Sequence, residues 1–404
     1  MKDILFLAHR IPFPPDRGDK IRSWHLIRHL AGLARVHLAC FADDEADAAH
    51  LPALRDALAG RLGEAHVEVR RAGKAVAGAR ALLAEKPVSL TLFDSDRLRG
   101  FVERLLARGE VGTVFAYSGQ MAQFVPEGCA QRFVMDFGDV DSAKFAQYAE
   151  DGSGPMRWVW RREAVRLAAF EKATAARADV CTFVSEAEAA LFRVRTGLGN
   201  IRALSNGIDF AFFDPEAVFA RLSEAERGEG PILLFTGQMD YPPNIDAVNW
   251  FAREVLPLVP RARFVIAGRA PTAEVQALAS ERVTVTGAVP DIRSWLAACD
   301  VVLAPLRIAR GIQNKVLEAM AMARPVVASP AAFEGIEAEP GRDLTVADGA
   351  QAMAAEISRL LTDEATRDAL GAAARALVTR SYSWEHRLAL LADIVAPAGR
   401  KAAA

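Results

Sequence analysis

The stretch Ala304-Pro-Leu-Arg-Ile-Ala-Arg-Gly-Ile-Gln-Asn-Lys-Val-Leu-Glu-Ala-Met-Ala-Met-Ala-Arg-Pro-Val-Val-Ala328 decides the reading of this chain. It leaves an apolar strand over 301–304, turns at Gly311 and enters a helix over 314–322 that carries Lys315 and Glu318. Pro325 ends the helical run, and a second apolar strand follows over 326–328. A helix N-terminus offers unpaired N–H groups and the positive end of a dipole, which suits a phosphate. A carboxylate one turn further in can accept both hydrogen bonds of a ribose diol. The bland alternative is that Lys315 and Glu318 form an i,i+3 ion pair on the helix surface.

Working outward, the same alternation of short apolar runs and longer amphipathic segments recurs on both sides. The first half carries strand patterns over 4–8, 36–41, 67–70, 114–117, 133–136 and 180–184, with helical patterns over 19–30, 44–58 and 96–107 among them. The second half carries strands over 232–236, 263–267, 283–286, 301–304, 326–328 and 344–346. Its helices are expected over 245–256, 272–280, 292–298, 314–322 and 350–361. Such alternation predicts α/β architecture with parallel sheets covered by helices on both faces. The turn Leu204-Ser-Asn-Gly-Ile-Asp209 separates the two halves, giving domains 1–206 and 207–382. The segment 383–404 is expected to hold a last helix over 383–395 and a frayed tail over 399–404.

The 404 residues suffice for two domains with cores of their own. Net charge is −2, so no general basic field argues for nucleic acid. Four cysteines, Cys40, Cys129, Cys181 and Cys299, are too scattered for a disulfide or metal framework and read as free thiols of a reducing cytoplasm. No apolar run reaches the ~20 residues of a membrane helix. The expected location is therefore cytoplasmic.

In open parallel sheets, ligands lie beyond the carboxyl ends of the strands, so the loops there hold the candidates. The first, His9-Arg-Ile-Pro-Phe-Pro-Pro-Asp-Arg-Gly-Asp-Lys-Ile-Arg22, is stiffened by prolines, and Gly18 permits a close approach. It is either a rigid turn with Asp19 as N-cap or a cleft loop. It holds no GxGxxG, which weakens a nicotinamide reading. Tyr117-Ser-Gly-Gln120 offers Ser118 and Gln120 as hydrogen-bonding groups, or forms a plain turn. Asp136, Asp139 and Asp141 follow the strand over 133–136. They read as a polar substrate loop or as caps, and less well as an oxygen-ligand metal site. The run from Pro155 to Arg177, with Trp158, Trp160 and Arg166, reads either as an amphipathic helix with its aromatics in the core or as a peripheral contact to an anionic membrane near Trp158 and Arg166.

The stretch around Lys315 and Glu318 resembles the C-terminal donor site of GT-B glycosyltransferases, in particular the large retaining group 1 (family 4) type. The Asp136–Ser142 run resembles a narrower set, the sugar transferases of exopolysaccharide and exosortase (PEP-CTERM) loci. The resemblance implies two Rossmann-like domains facing a cleft, with the last helix crossing back. It implies hexosyl transfer from a nucleotide diphosphate sugar to a glycan or lipid-linked acceptor, these substrates being partners beside the membrane contact weighed above, with no metal or other cofactor. By that resemblance Glu318 holds the ribose, while Lys315, Arg310 and the backbone near Gly311 and Ile312 stabilise the diphosphate. Gly237, Gln238 and Asn244 would line the donor, and Gly287 and Val289 would pack on its base. Gly18, Asp19, Ser118, Gln120, Asp136 and Asp139 would face the cleft or acceptor.

The chain departs from the family pattern in two places. Gln238 and Asn244 stand where many relatives place an Arg and a Lys, and Arg310 stands where the first glutamate of the E-x7-E signature is expected. One physical account joins them: Arg310 and Lys315 supply the positive charge that the Gly237 loop lacks. The alternatives are a non-catalytic partner subunit of the same fold, which the departures motivate, and a nucleotide-sugar epimerase.

Overall fold

The computed structural model describes residues 2–70, 86–309 and 312–396. The chain divides into two units, Met1–Ser205 with Leu388–Ala404, and Asn206–Arg387.

The first unit is built on seven parallel strands: β1 (Asp3–Ala8), β2 (Val36–Ala42), β3 (Leu62–Val69), β4 (Val111–Tyr117), β5 (Arg132–Gly138), β6 (Val180–Phe183) and β7 (Ile201–Ala203). Their order is β3-β2-β1-β4-β5-β6-β7. Every residue of β2, and all of β1 after Asp3, is buried. Continuous burial of this kind is what helices on both faces of a parallel sheet impose. Those helices are α1 (Gly18–Leu33), α2 (Asp96–Ala107), α3 (Asp141–Asp151), α4 (Pro155–Arg177) and α5 (Glu186–Thr196). Phe183 and Phe192 meet at 4.8 Å between ring centroids and pin α5 to the sheet.

The second unit repeats the plan with β8 (Ile232–Thr236), β9 (Arg263–Ala267), β10 (Val283–Gly287), β11 (Val301–Ala304), β12 (Val326–Ala328) and β13 (Thr345–Val346), in the order β10-β9-β8-β11-β12-β13. Its main helices are α6 (Pro242–Trp250), α7 (Asn314–Ala321), α8 (Gly349–Thr362) and α9 (Glu364–Ser381). Each sheet reverses its strand order once, between β1 and β4 and between β8 and β11. Loops leaving the two strands at such a reversal splay apart and open a crevice.

The last helix, α10 (Leu391–Val395), belongs to the first unit. It packs on α1, and the carbonyls of Ile394 and Val395 accept from Arg132 Nε at 2.6 Å and Thr113 Oγ1 at 3.0 Å.

Several elements differ from expectation, each for a local reason. β3 starts five residues early, at Leu62. Its polar Glu64 and His66 are tolerated because it is an edge strand. β7 was not anticipated, since three residues carry no period. The helix expected over 44–58 breaks into Glu45–Ala48 and Leu51–Ala57, with Pro52 in the first turn of the second. α6 begins three residues earlier than expected because Pro242 and Pro243 occupy a first turn, where proline is tolerated. The helix over 272–280 shrinks to Ala273–Gln276, and the single helix expected over 383–395 is two, Trp384–Arg387 and α10.

Candidate functional site: a strand-end crevice in the second unit

β8 and β11 flank the strand-order reversal, and the helices that follow them, α6 and α7, each deliver one side chain to it. Lys315 is the second residue of α7 and Asn244 the third of α6. Lys315 Nζ donates to Asn244 Oδ1 at 2.7 Å and lies 4.1 Å from the centroid of the Phe235 ring. Asn244 is itself aimed by its amide, which donates to the Gln238 carbonyl at 2.9 Å. A side chain at Gly237 would intrude here: a Cβ would fall 2.8 Å from Asn244 Nδ2 and 3.1 Å from Lys315 Nζ. The structure thus brings Gly237, Asn244 and Lys315 together, while the Gln238 side chain is exposed.

Three glycines run across the strand ends. The Gly237 N–H donates to the Ala267 carbonyl at 3.1 Å and the Gly268 N–H to the Gly287 carbonyl at 3.1 Å. A Cβ on Gly268 would lie 1.6 Å from the Gly237 oxygen, so only glycine fits. Gly268 went unremarked in the sequence; its signal is the Ala-Gly-Arg that ends an apolar strand. The Gly237 N–H is engaged, whereas the Gln238 N–H finds no acceptor among the described residues. At the start of α7 the Asn314 and Lys315 N–H groups likewise have no acceptor among the described residues.

Glu318 lies one turn into α7 and is half-buried. Burial pushes its carboxyl up to about 7, with the Lys315 charge opposing, and it accepts no hydrogen bond among the described residues. Burial pulls the Lys315 ammonium down to about 7, with the Glu318 charge opposing. The surface ion pair between these two is not formed: the ammonium turns to Asn244 instead. Arg310 and Gly311 lie outside the described residues. Ile312 packs half-buried against the core, and Val289 is half-buried just past Gly287. Arg307 in the loop after β11 is paired with Asp246 of α6, its Nε 2.9 Å from Asp246 Oδ2, and Ser329 Oγ donates to the Leu306 carbonyl at 2.5 Å. These bonds fix the loop from both sides.

In the first unit the loop after β1 is a charge network. Asp19 accepts from Arg10 at 2.6 Å, Arg17 at 2.7 Å and His9 at 3.1 Å, and Arg10 and Arg17 also reach Asp43. Burial alone would raise the Asp19 carboxyl, but the hydrogen bond from His9 and the charges of Arg10 and Arg17 outweigh it and hold the carboxyl well below its usual range. Asp19 is not the N-cap of α1; Arg17 stands there, and Asp19 sits in the first turn. No described backbone approaches Gly18, whose Cβ position is open space. Ser118 adopts φ 74° and its hydroxyl donates to Gln120 Oε1.

The three aspartates after β5 have separate fates. Asp136 is wholly buried, bound by Arg22 Nη2 at 2.6 Å, Thr182 Oγ1 at 2.8 Å and the Gly138 N–H at 3.1 Å, so it organises the loop from beneath. Asp139 is exposed. Asp141 begins α3, and burial pushes it up to about 6, with Lys144 opposing. Among the described residues no three His, Cys, Asp or Glu side chains converge in a way that could hold a metal ion. Sequence reasoning missed the buried glutamates that tie down nearby loops: Glu163 accepts from Val88 N and Ser89 N, Glu171 from Ser142 N, and Glu188 from Val140 N. Nor does α4 anchor its aromatics in the core: Trp158 is 60% exposed, and Trp160 is half-buried beside Tyr148.

Comparison with known proteins agrees with this geometry. Residues 230–363 match the family described as Glycosyl transferases group 1. No curated protein matches the chain in sequence. Among solved structures the chain is similar to sucrose-phosphate synthase from Thermosynechococcus elongatus, with 18% identity, TM-score 0.71 and 98% of both chains covered. It is similar to Anabaena HepE in complex with UDP and glucose, with 16% identity, TM-score 0.67, and 97% of this chain and 99% of that one covered. It is also similar to WaaG, a glycosyltransferase of lipopolysaccharide biosynthesis, with 15% identity, TM-score 0.66, and 98% and 100% covered. The two parallel-sheet units are those of the GT-B fold. With the group 1 match on the second unit, they define the class of the protein: a glycosyltransferase of GT-B type.

Proposed function

We propose that this glycosyltransferase takes a hexosyl group from a nucleotide diphosphate sugar and passes it, with retention, to a hydroxyl of a glycan or lipid-linked acceptor in cell-surface or exopolysaccharide synthesis. The observation that carries the donor assignment is Lys315, half-buried at the start of α7, held by a neutral amide and, among the described residues, without a hydrogen-bonded carboxylate partner. Its ammonium and the unpaired N–H groups of Gln238, Asn314 and Lys315 supply what a departing diphosphate needs, electrostatic stabilisation fixed in advance. Glu318, one turn on and with a carboxylate that accepts no hydrogen bond among the described residues, supplies two acceptor oxygens for a ribose diol. The glycines at 237, 268 and 287 leave the strand ends bare for a flat base and phosphates. Anabaena HepE holds UDP, which makes UDP the first nucleotide to try.

The acceptor assignment rests on the loops after β1 and β4, around Gly18, Asp19, Ser118 and Gln120, and the retaining, exopolysaccharide reading on the family resemblance. With Asp136 engaged by Arg22 and Thr182, the reaction is proposed to need no metal.

The test is calorimetric titration with UDP, GDP, ADP and TDP, beside Glu318→Ala. Micromolar binding of one nucleotide, weakened about tenfold or more in the variant, is expected, since a charged hydrogen bond contributes about 1.5–3 kcal/mol. Undiminished affinity in a folded Glu318→Ala protein removes Glu318 from the site. Binding without sugar transfer to any acceptor points to a partner-subunit role.

A further inference from the structure

Helix α4 segregates its charges. Its inward face buries Glu163, Ala164, Leu167, Glu171, Thr174 and Ala175. Both carboxylates of the stretch from Met156 to Arg177 lie on that face, where they accept backbone N–H groups of Val88, Ser89 and Ser142. The outward stripe, at helical spacing, is Trp158, Arg161, Val165 and Lys172, all exposed, with Met156 and Arg157 at its start. Trp158 is 60% and Val165 65% exposed. The side chains of Arg157, Arg161 and Lys172 form no hydrogen bond or ion pair among the described residues. The outward face therefore shows water a tryptophan, a methionine, a valine and only positive charge.

That combination is chemically narrow. A solvated helix face is normally neutral in sum, with i,i+4 pairs of opposite sign. A nucleic-acid surface uses cations with stacked aromatics but has no use for an exposed valine and methionine. Apolar side chains flanked by arginines suit a boundary where hydrocarbon meets anionic headgroups, and tryptophan partitions to that boundary. A second feature points the same way. A cavity of about 320 Å³ opens beside the helix, with apolar walls from Pro87, Leu90 and Phe170 and with Lys86 and Arg166 among its lining residues.

We propose that the outward face of α4 docks on an anionic phospholipid bilayer, with Trp158 and Met156 entering the headgroup region and Arg157, Arg161 and Lys172 facing lipid phosphates. No helix among the described residues is long and apolar enough to cross a membrane, so this contact is peripheral. It depends on the first unit alone and stands or falls separately from the donor assignment.

The experiment is co-sedimentation of the full chain with vesicles of phosphatidylcholine alone and of phosphatidylcholine mixed with phosphatidylglycerol, at low and high salt. Binding to the anionic vesicles is expected, weakened by salt. A triple variant, Arg157→Glu, Arg161→Glu and Lys172→Glu, should lower the bound fraction tenfold or more. Trp158→Ala should lower it without changing the salt dependence. These residues are exposed, so an unchanged circular dichroism spectrum and an unchanged thermal unfolding midpoint serve as controls for folding. Equal partitioning of wild type and both variants, or no preference for the anionic vesicles, overturns the proposal. So does binding to heparin or RNA with the anionic vesicles ignored.

Discussion

The ammonium of Lys315 lies 2.7 Å from Asn244 Oδ1 and 4.1 Å from the centroid of Phe235, between a neutral acceptor and an aromatic face. Neither partner cancels its charge. An aromatic ring offers a buried cation ~1–2 kcal/mol of attraction, far less than the cost of taking it out of water. This is why burial pulls the ammonium down to about 7. The arrangement holds a cation in position without a hydrogen-bonded carboxylate, and on the proposed function a diphosphate would restore the balance. It also gives the departure at Asn244 a physical meaning. A lysine there would repel Lys315, whereas asparagine aims it.

Substitutions at Asn244 should separate aim from charge. Lys315→Ala removes a charge-assisted contact and should weaken UDP binding about 10- to 100-fold, at about 1.5–3 kcal/mol. Asn244→Ala frees the ammonium and should cost less. Asn244→Asp places a carboxylate against Lys315, so it should weaken UDP binding more than Asn244→Ala does, although it keeps the hydrogen bond. Calorimetry on the three variants decides; an Asn244→Asp protein that binds as tightly as wild type refutes the uncommitted cation.

Affinity for the intact donor should be bell-shaped in pH. UDP-glucose carries no group that titrates near neutrality, so the protein's groups set the profile. Lys315 loses its charge as pH rises through about 7, which weakens phosphate binding on the alkaline side. Glu318 gains a proton as pH falls through about 7, which weakens ribose binding on the acid side. Lys315→Arg keeps its charge and should abolish the alkaline limb; Glu318→Gln should abolish the acid limb at a lower plateau. A flat wild-type profile from pH 6 to 8 in steps of about 0.5 contradicts both assignments.

Gly268→Ala should destabilise the second unit. The new methyl would fall 1.6 Å from the Gly237 carbonyl, and backbone cannot yield as a side chain would. A loss of more than about 3 kcal/mol in urea unfolding is expected. Gly287→Ala, whose Cβ position is open but whose φ is 68°, should cost only about 1 kcal/mol.

Arg22→Met should cost about 3–5 kcal/mol, because among the described residues it leaves the buried Asp136 with Thr182 and the Gly138 N–H but no cation against its charge. Asp136→Asn in the same background should recover part of the loss. Thermal unfolding of the single and double variants checks this coupling; additive losses would show that the pair is not the element that organises the loop.

Much of the fold was legible because parallel strands buried on both faces must be continuous apolar runs, as β1, β8 and β11 are. Edges and ends were not. β3 and β7 sit at sheet edges, where pairing needs no hydrophobic pattern, and α10 is five residues whose place is set by α1, Arg132 and Thr113. In the site, Lys315 and Glu318 could be read from spacing on one helix. Their separation could not, because Asn244 is 71 residues away in sequence and only the return of α6 and α7 to the same strand-order reversal brings it to Lys315.

The sequence by itself determined two α/β sheets, polar loops at expected strand ends, and a cation and carboxylate in the first turns of α7. These are local or periodic properties, written in residue type and spacing. Only the tertiary structure decided which aspartate is a buried strut and which is exposed, that Gly268 must have no side chain, that the carboxylates of α4 turn inward while Arg157, Arg161 and Lys172 turn outward, and that Lys315 turns to a neutral amide instead of pairing with Glu318. Each of these depends on what a side chain meets across the fold, and burial, not composition, sets the free energy of a charge.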